Sequence, residues 1–174
     1  MPTPPRKTKF RLYTFGLAAL EGLTTYANLT EIRAALAHAG VPEVHVLSDV
    51  RAFTDPGRGC RLGHIGVHPE SMVAMRKHHF FEPWLRRLRQ ETDQALAGGP
   101  PEVIIVFLCR KGKHRSVAAA FYVSYILSQG GHTVKVKHLG SWGGTCRGKC
   151  ENCANLENGE RISALDTALR IWRA

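Results

Sequence analysis

The clearest feature of the hydrophobic pattern is an uncharged run at Val103–Cys109, followed by a polar turn and an alanine-rich segment. The run is rich in β-branched and aromatic residues, and polar positions do not interrupt it. Such a run is typical of a strand that is buried on both faces. The alanine-rich segment predicts a helix over about 115–128 that packs closely against this strand. We therefore expect the centre of a sheet at this point of the chain.

Patterns earlier in the chain predict further strands and helices. Phe10–Phe15 and Val44–Val50 are typical of strands, and Asn28–Glu31 between them has the pattern of a capped helix start. Gly40 is expected to end that helix. Because a strand–helix–strand crossover makes its two strands parallel, their carboxyl ends should share one edge of the sheet. Open α/β sheets bind their ligands at that edge.

Later patterns complete the same arrangement. A helical pattern begins at Pro69 and ends before Gly98, and Pro83 is expected to kink or divide it. Thr133–His138 alternates lysines with apolar residues, which is typical of an edge strand or of a basic binding surface. A last amphipathic helix is expected over about 159–173, packed on the body of the domain.

Length and composition are those of one globular domain. The chain has 174 residues, of which 44% are hydrophobic. We predict a single-domain α/β three-layer sandwich with a mainly parallel central sheet over residues 10–174, after a flexible basic tail at residues 1–9. No apolar run approaches the roughly 18 residues of a membrane span, and the N-terminus has no apolar signal core, so an intracellular, cytoplasmic protein is expected.

Positive charge is concentrated in one region. Lys and Arg outnumber Asp and Glu by 24 to 14, which gives a formal net charge of +10. Between Val103 and Cys150 there are basic residues but no acidic ones. These basic residues are Arg110, Lys111, Lys113, Arg115, Lys135, Lys137, Arg147 and Lys149. An anionic partner is therefore expected, either a phosphorylated small molecule or RNA, unless the charge serves solubility alone. The sequence is also compatible with a homo-oligomer.

The turn after the central strand has the residues of an anion-binding loop. It begins at Cys109, contains Gly112 and ends where the helix is expected to begin. Free backbone N–H groups and the positive end of the helix dipole favour a phosphate at such a position. Ser116 is expected to be the helix N-cap. The candidate ligand-binding residues are Cys109, Arg110, Lys111, Gly112, Lys113, His114, Arg115 and Ser116.

Two protein families have similar residues here. Cys109 to Ser116 satisfies C-x5-R-S and so resembles the phosphate loop of cysteine-dependent protein phosphatases. The same octet resembles the C-terminal domain of the RapZ family of RNase adapter proteins, where a strand ends in a cysteine, a glycine-rich turn and Lys-His-Arg-Ser. Asp49-Val50-Arg51, followed by Asp55-Pro56, resembles a second segment of that domain. We favour the RapZ resemblance because it covers about residues 10–139, whereas the phosphatase resemblance is confined to the loop.

The RapZ resemblance implies a binding module. In that family the domain follows an ATPase domain, binds an amino-sugar phosphate and presents small RNA to a nuclease. This chain has no G-x4-GK[ST] run, so a nucleotide cofactor is not expected. We expect Asp49 and Arg51 to orient a polar ligand beside the loop. The chain has Arg110-Lys111 where the family has Thr-Gly, and a ligand histidine of the family falls near Gly57, so the identity of the phosphorylated ligand is left open.

A phosphatase-like enzyme is the alternative for the same loop. Cys109 would then be a thiolate nucleophile activated by the helix N-terminus and Arg115, and Asp55 or Asp49 would protonate the leaving group. Leu108 stands where the phosphatases usually have histidine. For that reason we expect binding without turnover.

Three cysteines lie close together near the end of the chain. Cys146, Cys150 and Cys153 supply three sulfur atoms, and a closed structural zinc site needs four ligands from thiolate or imidazole. His138, which ends the strand before them, is the preferred fourth ligand, and His132 is the alternative. Other interpretations are a redox pair of Cys150 and Cys153, and simple free thiols.

The cysteine-rich loop, about residues 140–155, has few apolar residues that could order it by burial, which favours a structural zinc. The RapZ resemblance does not include this loop. A third hypothesis is therefore a zinc-stabilised interaction protein in which the turn after Cys109 is only structural. The earlier glycine-containing loop at 52–68 follows Asp49 and is expected to be functional, with Cys60 as a loop or buried thiol.

Overall fold

The structure, a computed structural model, describes residues 7–20, 23, 26–41, 43–55 and 62–174. The strands in these residues are β1 (Lys9–Gly16), β2 (Val46–Asp49), β3 (Glu102–Cys109) and β4 (Thr133–His138). The α-helices in the described residues are α1 (Leu29–His38), α2 (Pro69–Lys77), α3 (Phe81–Ala97), α4 (Arg115–Gln129), α5 (Glu151–Ala154) and α6 (Gly159–Arg173). Lys9, which the sequence assigned to the tail, begins β1, whereas residues 1–6 and Cys60 lie outside the described residues.

The described strands form one parallel sheet in the order β2-β3-β1-β4. The predicted parallel arrangement is confirmed, although β3 lies between the two strands of the first crossover. In the register of the sheet Gly16 pairs with Cys109, and Asp49 pairs with Leu108. The carboxyl ends of three strands therefore meet at one edge.

The central strand β3 supplies side chains to both faces of the sheet. Ile105 and Phe107 pack in a cluster with α2, α3, α4 and α6, while Ile104 and Val106 pack with α1 on the other face. All four side chains are at most 4% exposed. Helices thus cover both faces of the sheet, and the predicted three-layer sandwich is confirmed.

The predicted helix boundaries are confirmed in part. Asn28 and Glu31 form the predicted capping box, and Gly40, with a φ of 76°, follows the end of α1. The break predicted at Pro83 lies earlier, because His78 is extended (φ −70°, ψ 137°) and separates α2 from α3. Pro83 lies in the first turn of α3, where the missing N–H removes no helical hydrogen bond.

No helix in the described part of the chain is both long and apolar enough to cross a membrane.

Candidate functional site

The turn between β3 and α4 lies directly against the end of β1. Gly112 has a φ of 68°, a conformation that favours glycine. A Cβ at Gly112 would lie 2.6 Å from the backbone N of Gly16, and a Cβ at Gly16 would meet the backbone of Lys111 and Gly112. Two glycines therefore allow the turn, which we call the anion loop (residues 109–116), to approach the sheet edge.

Cys109 and Ser116 close the base of the anion loop. Cys109 is 2% exposed, and its Sγ accepts a hydrogen bond from the N–H of Gly112 at 3.2 Å. Ser116 is fully buried, with its Oγ 3.2 Å from the same sulfur. The sequence predicted Ser116 as the helix N-cap, but the N-cap is His114, which caps the helix with no side-chain hydrogen bond. Since no side chain in the described part of the chain caps α4, its first N–H groups are available to an anion.

A cavity of about 480 Å³ opens in front of the anion loop. Lysine and arginine residues of the loop form one wall, and Gly143 and Gly144 of the cysteine-rich loop form another. The remaining lining residues include Asp55 and Leu62. The described residues that line the cavity are Asp55, Leu62, Cys109, Arg110, Lys111, Lys113, His114, Arg115, Gly143 and Gly144. Four of these side chains are cationic and one is acidic, so the cavity has a positive potential that suits an anion.

Arg115 joins the anion loop to the turn after β2. Its NH1 donates to the backbone O of Arg51 at 2.6 Å and to that of Phe53 at 2.9 Å. Its Nε lies 3.0 Å from Oδ1 of Asp55. The guanidinium therefore holds the turn in place and lines the cavity at the same time.

Asp49 and Arg51 pair with each other. Arg51 Nε lies 2.9 Å from both carboxylate oxygens of Asp49, and the hydrogen bond to Asp49 raises the pKa of Arg51. Both line a second cavity, of about 680 Å³, together with Phe53 and Trp84. Among the described residues they connect to the anion loop through the Arg115 hydrogen bond to the backbone O of Arg51.

The three cysteines predicted as metal ligands converge on His64. Ligand atoms of His64, Cys146, Cys150 and Cys153 all lie within 4.8 Å of one another. The Sγ atoms of Cys146, Cys150 and Cys153 are 3.6, 3.2 and 3.8 Å from His64 Nδ1, and the Sγ atoms of Cys146 and Cys153 are 3.6 Å apart. We call these four residues the metal cluster, because together they can hold a metal ion.

The prediction of His138 as the fourth ligand was wrong, because His138 lies outside the metal cluster. Its Nδ1 is 2.7 Å from Thr14 Oγ1, and its ring packs against Trp142 with centroids 4.4 Å apart. The alternative, His132, accepts a hydrogen bond from the N–H of Thr8. The imidazole that lies beside the three sulfur atoms is that of His64. His64 lies in the loop at 52–68, which the sequence predicted to be functional. Because this loop follows the carboxyl end of β2, its histidine could have been considered as a ligand from the sequence.

The sulfur atoms of the metal cluster influence one another. Burial opposes ionisation of Cys146, but hydrogen bonds with the backbone of Cys150 and with the His64 ring lower its pKa overall. Burial and the neighbouring sulfurs raise the pKa of Cys153. Thiols at this spacing resist joint ionisation unless a cation compensates for the charge, and a metal ion provides that compensation.

The anion loop lies within the part of the chain that matches a known family. A sequence model of the RapZ C-terminal domain family matches residues 35–141. The chain belongs to the RapZ C-terminal domain family. A comparison with curated proteins found no match.

The residues that match the family model include the anion loop but only part of the metal cluster. Asp49, Arg51, His64 and the anion loop lie inside the matched residues, whereas the three cysteines of the metal cluster follow them. The metal cluster thus joins a histidine of the RapZ C-terminal domain to a segment beyond the match. The predicted resemblance to the RapZ C-terminal domain family is confirmed.

A buried arginine fastens this last segment to the RapZ domain. Arg161, on α6, is fully buried, and its guanidinium donates to backbone oxygens at 2.5 to 3.0 Å. The acceptors are Val67, Asn152, Cys153 and Asn155. Burial lowers the pKa of Arg161, and the nearby sulfurs of Cys153 and Cys150 oppose that shift. No local pattern singled out Arg161, because its acceptors come from two separate loops.

Proposed function

We propose that this RapZ C-terminal domain binds a phosphorylated small molecule in the cavity at the anion loop. The observation that carries the proposal is the combination of an uncapped helix N-terminus with four cationic side chains around one cavity. Backbone N–H groups and a helix dipole favour a phosphate, and lysine and arginine add charge-assisted hydrogen bonds. The family match supports the same site, since the anion loop lies within it.

The local contacts favour binding over catalysis. Cys109, the candidate nucleophile, is 2% exposed and has hydrogen-bond contacts with Gly112 and Ser116. Asp55, the candidate acid, lies in an ion pair with Arg115 at 3.0 Å. Both groups that a phosphatase mechanism requires are thus engaged in contacts that support the loop. A binding role needs neither group to react.

We propose zinc as the ion of the metal cluster. Zinc bonds of about 2.3 Å to sulfur and about 2.0 Å to nitrogen, at tetrahedral angles, separate ligand atoms by about 3.5 to 3.8 Å. Four of the six distances between ligand atoms are 3.2 to 3.8 Å, close to this spacing, and all six are within 4.8 Å. Three sulfurs and one imidazole, with no open position needed for chemistry, suit a structural zinc.

Calorimetry with inorganic phosphate tests the anion site. Replacing Lys111 and Lys113 together by alanine should weaken phosphate binding about a hundredfold or more, since charge-assisted hydrogen bonds contribute roughly 1.5–3 kcal/mol each and two are lost. The control replaces Lys135 and Lys137, which removes the same charge from β4 and should change the affinity by no more than about twofold.

Equal losses of phosphate affinity in the two double variants would show that only the net charge matters, and would contradict a specific site at the anion loop. The same protein should not hydrolyse an aryl phosphate. Robust turnover that Cys109→Ser abolishes would replace the binding proposal by the phosphatase alternative.

RNA is a second candidate ligand, favoured by the exposed lysines of the edge strand. Lys135 and Lys137 are exposed on β4, and no acidic residue lies between positions 103 and 150. By contrast, the arginines on α3 have ion-pair partners within their own helix, such as Arg86 with Glu82. Among the described residues Lys135 and Lys137 have no ion-pair partner, so they can offer their positive charge to a polyanion.

Salt dependence tests the RNA proposal. On single-stranded RNA, each neutralised phosphate contributes about 0.7 to the slope of log affinity against log salt concentration. Replacing Lys135 and Lys137 by alanine should lower that slope by about 1.4, from two such contacts. Replacing Arg86 and Arg87 by alanine should leave it unchanged. A slope near zero for the wild type would eliminate RNA as a partner of this surface.

A further inference from the structure

The first segment of the metal cluster is bonded directly to the anion loop. The backbone O of His64 accepts a hydrogen bond from His114 Nε2 at 3.0 Å, and burial lowers the pKa of that imidazole. Two residues further on, the N–H of Gly66 donates to the backbone O of Lys113 at 2.9 Å. The same short segment thus carries an atom of the metal cluster and supports the anion loop.

The second segment approaches the anion loop from the other side. Lys113 Nζ donates to the backbone O of Gly143 at 2.9 Å, and Trp142 Nε1 donates to the backbone O of Gly112 at 3.3 Å. Gly143 also lines the cavity, together with Gly144. The position of the cysteine-rich loop therefore sets both the cavity wall and the orientation of Lys113.

Apolar packing does little to hold this second segment in place. Of residues 140–155, all of which are described, only Cys153 is buried. A segment with so little buried surface cannot offset the conformational entropy that it loses on ordering. Thiolate–metal bonds can, because the free energy of metal binding in small zinc modules is also free energy of folding.

We infer that metal binding at the metal cluster controls the anion cavity. With the ion bound, residues 62–68 and 140–155 are fixed to each other and against the anion loop. Without it, Arg161 still holds residues 152–155, but residues 140–150 loosen, so Lys113 loses its acceptor and one cavity wall is lost. The inference rests on the proposed anion binding. By thermodynamic reciprocity, phosphate must raise the affinity for zinc by the same factor by which zinc raises the affinity for phosphate.

The test measures inorganic phosphate binding by calorimetry with the metal present and absent. Chelated wild type should bind phosphate about tenfold or more weakly than zinc-loaded wild type, the equivalent of one or two lost hydrogen bonds. A second variant pushes the first segment away from the anion loop and α4 while the metal stays bound. A Cβ at Gly66 would lie 2.5 Å from the N of Ala118 and closer to the O of His114, whereas a Cβ at Gly63 would meet no atom of the described residues within 4 Å.

Zinc-loaded Gly66→Ala should therefore retain one zinc per chain and bind phosphate about tenfold more weakly, with Gly63→Ala as the matched control that binds like the wild type. Equal phosphate affinity in zinc-loaded, chelated and Gly66→Ala protein would overturn the inference and leave the proposed function standing. If zinc-loaded wild type bound no phosphate, the proposed function itself would be overturned, and this inference with it.

Discussion

Replacing Cys150 by serine should weaken zinc binding about a thousandfold or more, because one of four ligands is lost from a site worth roughly 10–16 kcal/mol. The purified wild type should contain one zinc per chain and the variant almost none. Residues 140–155 should then become sensitive to protease, since Cys153 is their only buried residue. The sandwich itself has its own apolar clusters on both faces and should stay folded.

His138→Ala is the matched control for this experiment. The ring of His138 contacts Thr14 and Trp142 rather than the metal cluster, so the variant should retain full zinc content. Metal content by elemental analysis gives the answer directly. Zinc lost equally from Cys150→Ser and His138→Ala would contradict the ligand set. Metal-free wild type with a Cys150–Cys153 disulfide under mild oxidation would favour the redox interpretation.

Arg161→Met should lower the free energy of unfolding of the zinc-loaded protein by about 3–5 kcal/mol. The side chain is fully buried and donates to four backbone oxygens, which methionine would leave without their donors. Arg170→Met on the same helix is the control, because Arg170 is exposed and makes one bond to Thr167. Denaturant unfolding should show a change of less than about 0.5 kcal/mol for that control.

The charge of Arg161 gives this prediction a second readout. Three thiolates and one neutral imidazole around Zn²⁺ carry a net charge of −1, and Arg161 packs beside them with the opposite sign. Arg161→Met should therefore also weaken zinc binding, whereas Arg170→Met should not. If zinc affinity were unchanged in Arg161→Met, the guanidinium would act only through its hydrogen bonds to the backbone.

The sandwich and the anion loop were predictable because their signals are local. The uncharged run of β3 predicts its own burial on both faces, and the alanine-rich start of α4 predicts close packing. Gly112, which the sequence placed in the turn, has the left-handed backbone that favours glycine. Residues that are consecutive in sequence formed these features, so spacing and residue type were sufficient.

The partners of the site were less predictable because they come from distant parts of the chain. His138 was chosen as a metal ligand for its closeness in sequence, but His64, 82 residues before Cys146, is closer in space. Ser116 has the residue type of an N-cap, yet its hydroxyl contacts the Cys109 sulfur across the loop. Such pairings depend on how the loops return to the sheet edge, which periodicity does not encode.

The most direct test of the central claim is a titration of isotope-labelled, zinc-loaded protein with inorganic phosphate, followed by the amide chemical shifts. If the anion loop binds phosphate, the largest saturable shifts should occur at residues 111–117, and they should shrink when Lys111 and Lys113 are replaced by alanine. Amides of β4 should move little. Shifts confined to β4, or spread over the surface without saturation, would contradict an anion site at this loop.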